Sequence, residues 1–156
     1  MQWLKLHDHK PIYTTFVDKY RSKTWLEQQF GDEHIVKNLS KYAKSSEIDL
    51  SKLPNAFVLK CNHDCGSVYL CFDKASGKYY DKHMHELTFT EVCSKLDTAL
   101  KLNCYYEARE WPYKHVKPCI FAQELLLQKD GTMPNDYKVF YINGEPQFVY
   151  VSYDRK

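Results

Sequence analysis

Lys60 is the penultimate residue of the run Ala56-Phe57-Val58-Leu59-Lys60-Cys61, which leads into the polar turn Asn62-His63-Asp64-Cys65-Gly66-Ser67. An ammonium at the end of a buried strand, followed by a turn containing glycine, has the parts needed to meet a phosphate chain. The lysine supplies charge, and turn N–H groups supply donors with no long side chain in the way. The pattern is not the phosphate-loop consensus, and on its own it reads more simply as a lysine snorkelling from a strand end. The same stretch offers Cys61-x-His63-x-Cys65, with Cys71 beyond. Zinc takes thiolates and imidazoles in tetrahedral sets. Alternate strand residues share a face, however, while positions 61 and 65 straddle a turn and the C-x₂-C knuckle is absent. These residues therefore read as reduced core thiols, and no metal ligand is assigned.

Other pairs are weaker. Asp18-Lys19 falls on an expected helix and reads as a surface ion pair. Asp136 and Lys138 share one face of an expected strand, which suits either a phosphate contact or a cross-strand ion pair. Arg109-Glu110-Trp111 sits inside an aromatic run. The arginine can clamp a carboxylate or phosphate bidentately, or it can be satisfied by its glutamate neighbour. His83-x-His85 lies in a polar loop. None of these residues identifies a catalytic group.

The elements that must position Lys60 follow from periodicity. Residues 56–61 and 68–72 read as a hairpin around the polar turn. Thr88-Phe89-Thr90-Glu91 fits a capping box, with Val92, Leu96, Ala99 and Leu100 on one helical face and Asn103 as a possible end. An earlier helix is expected from Thr15 to Phe30, where Phe16 and Tyr20 share a face, and Gly31 is a natural stop. Residues 3–15 read as a loop, and 34–42 as a short strand around Ile35-Val36. Three further strands are expected at 120–127, 136–142 and 147–153, with Asn143-Gly144 turning between the last two. The sum is an α+β fold with a largely antiparallel sheet and flanking helices.

Composition sets the class. The 156 residues fit one domain, and 44% hydrophobic with 27% charged is globular rather than disordered. Lys and Arg number 22 against 20 Asp and Glu, so a generally basic nucleic-acid binder is not favoured and no nucleic-acid partner is expected. Aromatics reach 15%, which fits substantial sheet. No stretch approaches the roughly 20 apolar residues of a membrane span. Six cysteines without an export signal read as reduced thiols in a cytoplasmic protein.

Taken in order, several segments resemble the TupA-like branch of the ATP-grasp superfamily. They are Gln2-Trp3-Leu4-Lys5-Leu6-His7-Asp8, Lys10-Pro11-Ile12-Tyr13-Thr14, Val17-Asp18-Lys19-Tyr20, Leu53-Pro54, Phe57-Val58-Leu59-Lys60-Cys61, His63-Asp64, Arg109-Glu110-Trp111-Pro112-Tyr113-Lys114, Asp136-Tyr137-Lys138 and Asn143-Gly144-Glu145-Pro146. The resemblance implies a fold in which two α+β parts hold ATP between antiparallel sheets. It also implies a role in bacterial capsule, teichuronopeptide or other surface-polysaccharide synthesis. The expected chemistry is ATP-dependent activation of a carboxylate followed by attack of an amine, although such proteins often carry a glycosyltransferase label. By the same resemblance Lys60 meets the ATP phosphates, and His63, Asp64, Gly66 and Ser67 belong to a mobile loop over them. Gln123, Glu124 and Leu125 lie on the hinge strand at adenine, and Lys138 is a phosphate or ribose contact. The expected partners are the nucleotide and a polysaccharide precursor or amino acid.

Three positions depart from the family pattern. His63-Asp64-Cys65-Gly66-Ser67 stands where a small residue then glycine is expected, Gln123 where an acidic residue is common, and Cys119 where arginine is common. Family members also continue past the equivalent of Lys156 into a segment whose acidic residues bind magnesium. The expectation is therefore an amino-terminal portion of an ATP-grasp domain, spanning 1–156, with its magnesium ligands elsewhere and an incomplete sheet layer around 147–153. Such a portion could belong to an active ligase, to a glycosyltransferase, or to an inert truncated nucleotide-binding module, so the sequence leaves open whether this chain is itself an enzyme.

Overall fold

Phe57, Leu59 and Cys61 alternate with Val58 and Lys60, and a strand with that pattern presents two chemically different faces. The computed structural model describes residues 2–153, which divide into two units, one ending at Leu125 and one starting at Leu126. In the first unit six strands form one antiparallel sheet. Their spatial order is β1 (Asn38–Tyr42), β6 (Ile120–Glu124), β2 (Phe57–Cys61), β3 (Val68–Cys71), β4 (Tyr79–Tyr80) and β5 (Glu86–Leu87). On one face, Phe57, Leu59 and Cys61 join Tyr69, Cys71, Ile120 and Ala122 in a buried cluster. Helix α4 (Phe89–Ala99) closes that face with Val92, Leu96 and Ala99, which recur at helical spacing. Its start is fixed as the sequence predicts. The Thr88 hydroxyl accepts from Glu91 N–H at 3.3 Å, and the Glu91 carboxylate accepts from Thr88 N–H at 2.8 Å.

The opposite face carries Val58 and Lys60 of β2 beside Gln123 and Phe121 of β6, in that register. The Tyr20 ring meets Phe121 edge-on with centroids 5.8 Å apart, and the Lys41 ammonium lies 5.0 Å from the Tyr20 ring centre. Tyr20 immediately precedes α3 (Arg21–Phe30).

Five expectations are corrected. Residues 3–15 are not a loop, because α1 (Gln2–His7) and α2 (Ile12–Val17) fall there. The single helix expected over 15–30 is broken into α2 and α3. Asp18 causes the break: it is 3% exposed, and its Oδ1 accepts from Tyr20 N–H and Arg21 N–H, both at 3.0 Å. A carboxylate capping the start of α3 is a buried structural group, not a surface ion pair. The strand expected around Ile35-Val36 begins later, at Asn38. Asn103 does not end α4. Its side chain accepts from Tyr105 N–H and starts a new short helix, α5 (Cys104–Ala108).

The second unit is a hairpin of β7 (Asp136–Ile142) and β8 (Glu145–Ser152). Asn143 and Gly144 both take positive φ, 52° and 85°, which a tight two-residue turn matched to sheet twist requires. Phe140 and Phe148 are register partners and stack at 4.5 Å. Lys138 lies 3.7 Å from Asp136, so the pair expected on one face forms an ion pair.

Asn62, 1% exposed, joins three segments of the first unit. Its amide donates to Lys117 C=O at 3.0 Å and accepts from Cys119 N–H at 2.8 Å. Its backbone N–H donates to Cys119 C=O at 3.1 Å, and its C=O accepts from Lys19 N–H at 2.9 Å. Removing the amide leaves two backbone groups near 117–119 without partners. Asn62→Ala should therefore cost roughly 2–4 kcal/mol, read as a lower urea midpoint at unchanged slope.

Candidate functional site

Lys60 stands at the penultimate position of β2, on the face away from α4. Its Nζ donates to Gln123 Oε1 at 2.9 Å. The two are diagonal neighbours across the β2–β6 ladder, since Lys60 pairs with Phe121 and Val58 with Gln123. Gln123 is 7% exposed and neutral, so it aims the ammonium without cancelling its charge. An acidic residue at this position would make an ion pair instead.

A second ammonium accompanies Lys60. Lys23, on α3, is half-buried and donates to Val36 C=O at 3.3 Å. Burial, and then the neighbouring Lys60 charge, push its pKa down from the ordinary lysine value to about 8. Beside this pair, Asn38 donates its amide to Tyr20 C=O at 3.4 Å, while its buried Oδ1 has no hydrogen-bond partner. Two ammonium groups near enough for their charges to interact form an anion-attracting locus, and the orphan Oδ1 is an acceptor a donor-bearing ligand would satisfy. Sequence reasoning missed Lys23. Nothing local distinguishes it from an ordinary exposed helical lysine; its position depends on α3 lying beside the Lys60 face.

The turn after Lys60 is anchored at its start and open at its tip. The His63 ring, 2% exposed, is turned into the core, where Nε2 bonds Ala99 C=O at 3.0 Å. Cys104 donates its thiol to His63 C=O at 3.1 Å. Any contact His63 makes with a ligand is thereby confined to its backbone. Asp64 accepts from Ser67 N–H at 3.3 Å and makes a short hydrogen bond with the Ser67 hydroxyl. Cys65 and Gly66 are exposed. Gly66 has no positive φ, and a Cβ built on it would meet nothing within 4 Å. The fold therefore does not itself require glycine there.

β6 is an interior strand, paired to β1 on one side and β2 on the other. Ala122 and Gln123 are held in both ladders, and Glu124 N–H donates to Lys37 C=O at 3.1 Å. Backbone groups for a base are consequently those at the strand exit, from Glu124 C=O to Leu125. Lys138 belongs to the second unit, where its ammonium also lies 5.8 Å from the Tyr150 ring centre.

The Cys61, Cys71 and Cys119 thiols are buried and structural by environment, whereas Cys65, expected among the core thiols, is exposed at the turn. Burial pushes the Cys61 thiol up to about 12 and the Cys119 thiol up to about 11. Among the described residues no group of three or more His, Cys, Asp or Glu is arranged to hold a metal ion. Also among them, no helix is long and apolar enough to cross a membrane. Arg109, at φ 56°, lies with its guanidinium 5.7 Å from the Tyr105 ring centre.

No curated protein and no solved structure matches the chain. One family model does, described as TupA-like ATPgrasp, over residues 1–156. A match of that extent, on an α+β chain with a mostly antiparallel sheet and a lysine at the end of its central hairpin strand, shows that the chain belongs to the TupA-like ATP-grasp family.

Proposed function

We propose that the Lys60 face of the first unit receives the phosphates of ATP. On this reading residues 1–156 are the ATP-binding portion of a carboxylate–amine ligase-like protein of bacterial cell-surface polysaccharide synthesis, working in the cytoplasm. The observation that carries the reading is the pairing of Lys60 with Lys23 beside a turn whose tip holds an open glycine. Lys60 is the main phosphate contact, and Lys23 supplies a second charge. The N–H groups of residues 64–66 cover the phosphates, with Gly66 allowing close approach, while the Ser67 N–H is already given to Asp64. Gln123 holds Lys60 in place, and the backbone at Glu124 and Leu125 is offered to adenine. In the second unit Lys138, already paired with Asp136, is a lesser phosphate or ribose contact.

Bound ATP would supply a phosphoryl group to activate a carboxylate for attack by an amine; the residues named here bind and orient. No general base is assigned. Among the described residues no group of three or more His, Cys, Asp or Glu gathers into a metal-binding cluster, and no step is drawn through magnesium.

Loss of Lys60 removes a charge-assisted contact worth on the order of 1.5–3 kcal/mol, about one to two decades of affinity. Lys60→Ala should thus weaken ATP binding by that factor in calorimetric titration and leave adenosine binding little changed. Lys138→Ala should act in the same direction, less strongly. An unaltered ATP affinity in Lys60→Ala would remove the phosphate assignment. Sugar-nucleotide transfer without ATP would point to a glycosyltransferase instead.

Gly66→Ala separates fold from function. The open site predicts an unfolding free energy within about 0.5 kcal/mol of the parent, whereas a covering loop predicts weaker ATP binding. A variant that binds ATP normally places the phosphates elsewhere.

The pH dependence has a definite sign. Lys23 is protonated below about pH 8 in the unliganded chain, and an anion favours the protonated form. ATP affinity should be flat below that pH and fall as pH rises above it, by up to roughly tenfold per pH unit. Lys23→Met should flatten the profile above pH 8.

A further inference from the structure

A cavity of about 310 Å³ is lined by Asp8, Tyr13, Val17, Glu110, Trp111 and Tyr113, none of which belongs to the nucleotide reading. The volume suits a small organic ligand. Its walls come from α2 and from the 3₁₀ turn Trp111–His115 that packs beside it. His9 stacks on Trp111 at 4.7 Å with the rings 8° from parallel, which steadies the indole. The charged groups lining the cavity are two carboxylates, Asp8 and Glu110.

Asp8 is held by one oxygen. The Tyr13 hydroxyl donates to Oδ2 at 2.7 Å. The other oxygen faces the Lys10 ammonium at 3.8 Å, too far for a hydrogen bond, and the Lys10 side chain is 67% exposed. That same ammonium lies 5.8 Å from the Tyr13 ring centre, within cation–π reach. The chain thus already rests an ammonium loosely against the Asp8 carboxylate and the Tyr13 ring, two groups that line the cavity.

We propose that the cavity between α2 and the Trp111 turn binds a primary ammonium group on a small apolar or sugar body. Asp8 and Glu110 are the counter-charges, the aromatic rings are the walls, and Lys10 is the resident ammonium that an entering ligand displaces. A ligand amine that reaches the free oxygen of Asp8 at hydrogen-bond distance improves on the 3.8 Å contact it replaces. The inference does not rest on the nucleotide reading and is tested without nucleotide.

The experiment is amide chemical-shift titration of the full chain with butylammonium chloride against 1-butanol, and with glucosamine against glucose. Saturable shifts in residues 8–17 and 109–115 are expected for the amines, with their neutral counterparts at least about tenfold weaker. Glu110→Gln should weaken the amines by a similar factor. Lys10→Met removes the competitor and should tighten them severalfold, the reverse of what a merely structural ion pair predicts. Both side chains are exposed, so both variants should fold. Glucosamine binding above butylammonium would identify an amino sugar, and the opposite order an aliphatic amine; either supports the site. Equal binding of the neutral counterparts, no binding of either amine, or weaker amine binding in Lys10→Met would overturn it.

Discussion

A single buried amide sets the frame of the first unit. Asn62 sits where β2 ends and the polar turn begins, and it satisfies backbone groups of the segment entering β6 and of the junction between α2 and α3. A buried backbone N–H or C=O without a partner costs more than most side-chain contacts return. The chain therefore has one low-energy way to bring these segments together. That arrangement fixes Lys60 against Gln123, brings α3 beside the Lys60 face and anchors the start of the turn. The tip of the turn, at Cys65 and Gly66, is exposed while its base is held.

Much of this was legible in the sequence because local rules and tertiary demands agree there. The capping box at Thr88, the hairpin around residues 62–67 and the Asn143-Gly144 turn each rest on a short-range requirement that the fold also satisfies. Two of the misses share one cause. Apolar periodicity through residues 15–30 suggests one helix, but Asp18 spends its carboxylate on two N–H groups and restarts the chain. Asn103 reads as an end and acts as a beginning. In both cases a polar side chain could serve either side of a boundary, and the choice is made by long-range packing.

The candidate site divides in the same way. Lys60 is visible because a charged residue breaks an apolar strand at its end. Lys23 and Asn38 are invisible, since their chemistry exists only once α3 and β1 are adjacent. His63 shows the opposite error. A histidine in a polar turn looks available, yet its ring is spent on Ala99 C=O in the core. The interior position of β6 likewise has no local signature, although it confines the backbone available to a base to the strand exit.

The closeness of Lys23 to Lys60 has a thermodynamic meaning. Two like charges in a half-buried setting repel, and the depressed proton affinity of Lys23 reflects first its burial and then that repulsion. The folded chain carries it as a local destabilisation imposed by the surrounding hydrogen bonds. Any anion that enters relieves it, so part of the binding energy is present beforehand as instability of the empty state. Neutralising Lys23 would then strengthen the fold and, on the proposed phosphate reading, weaken anion binding, an exchange of stability for function located in one pair of side chains.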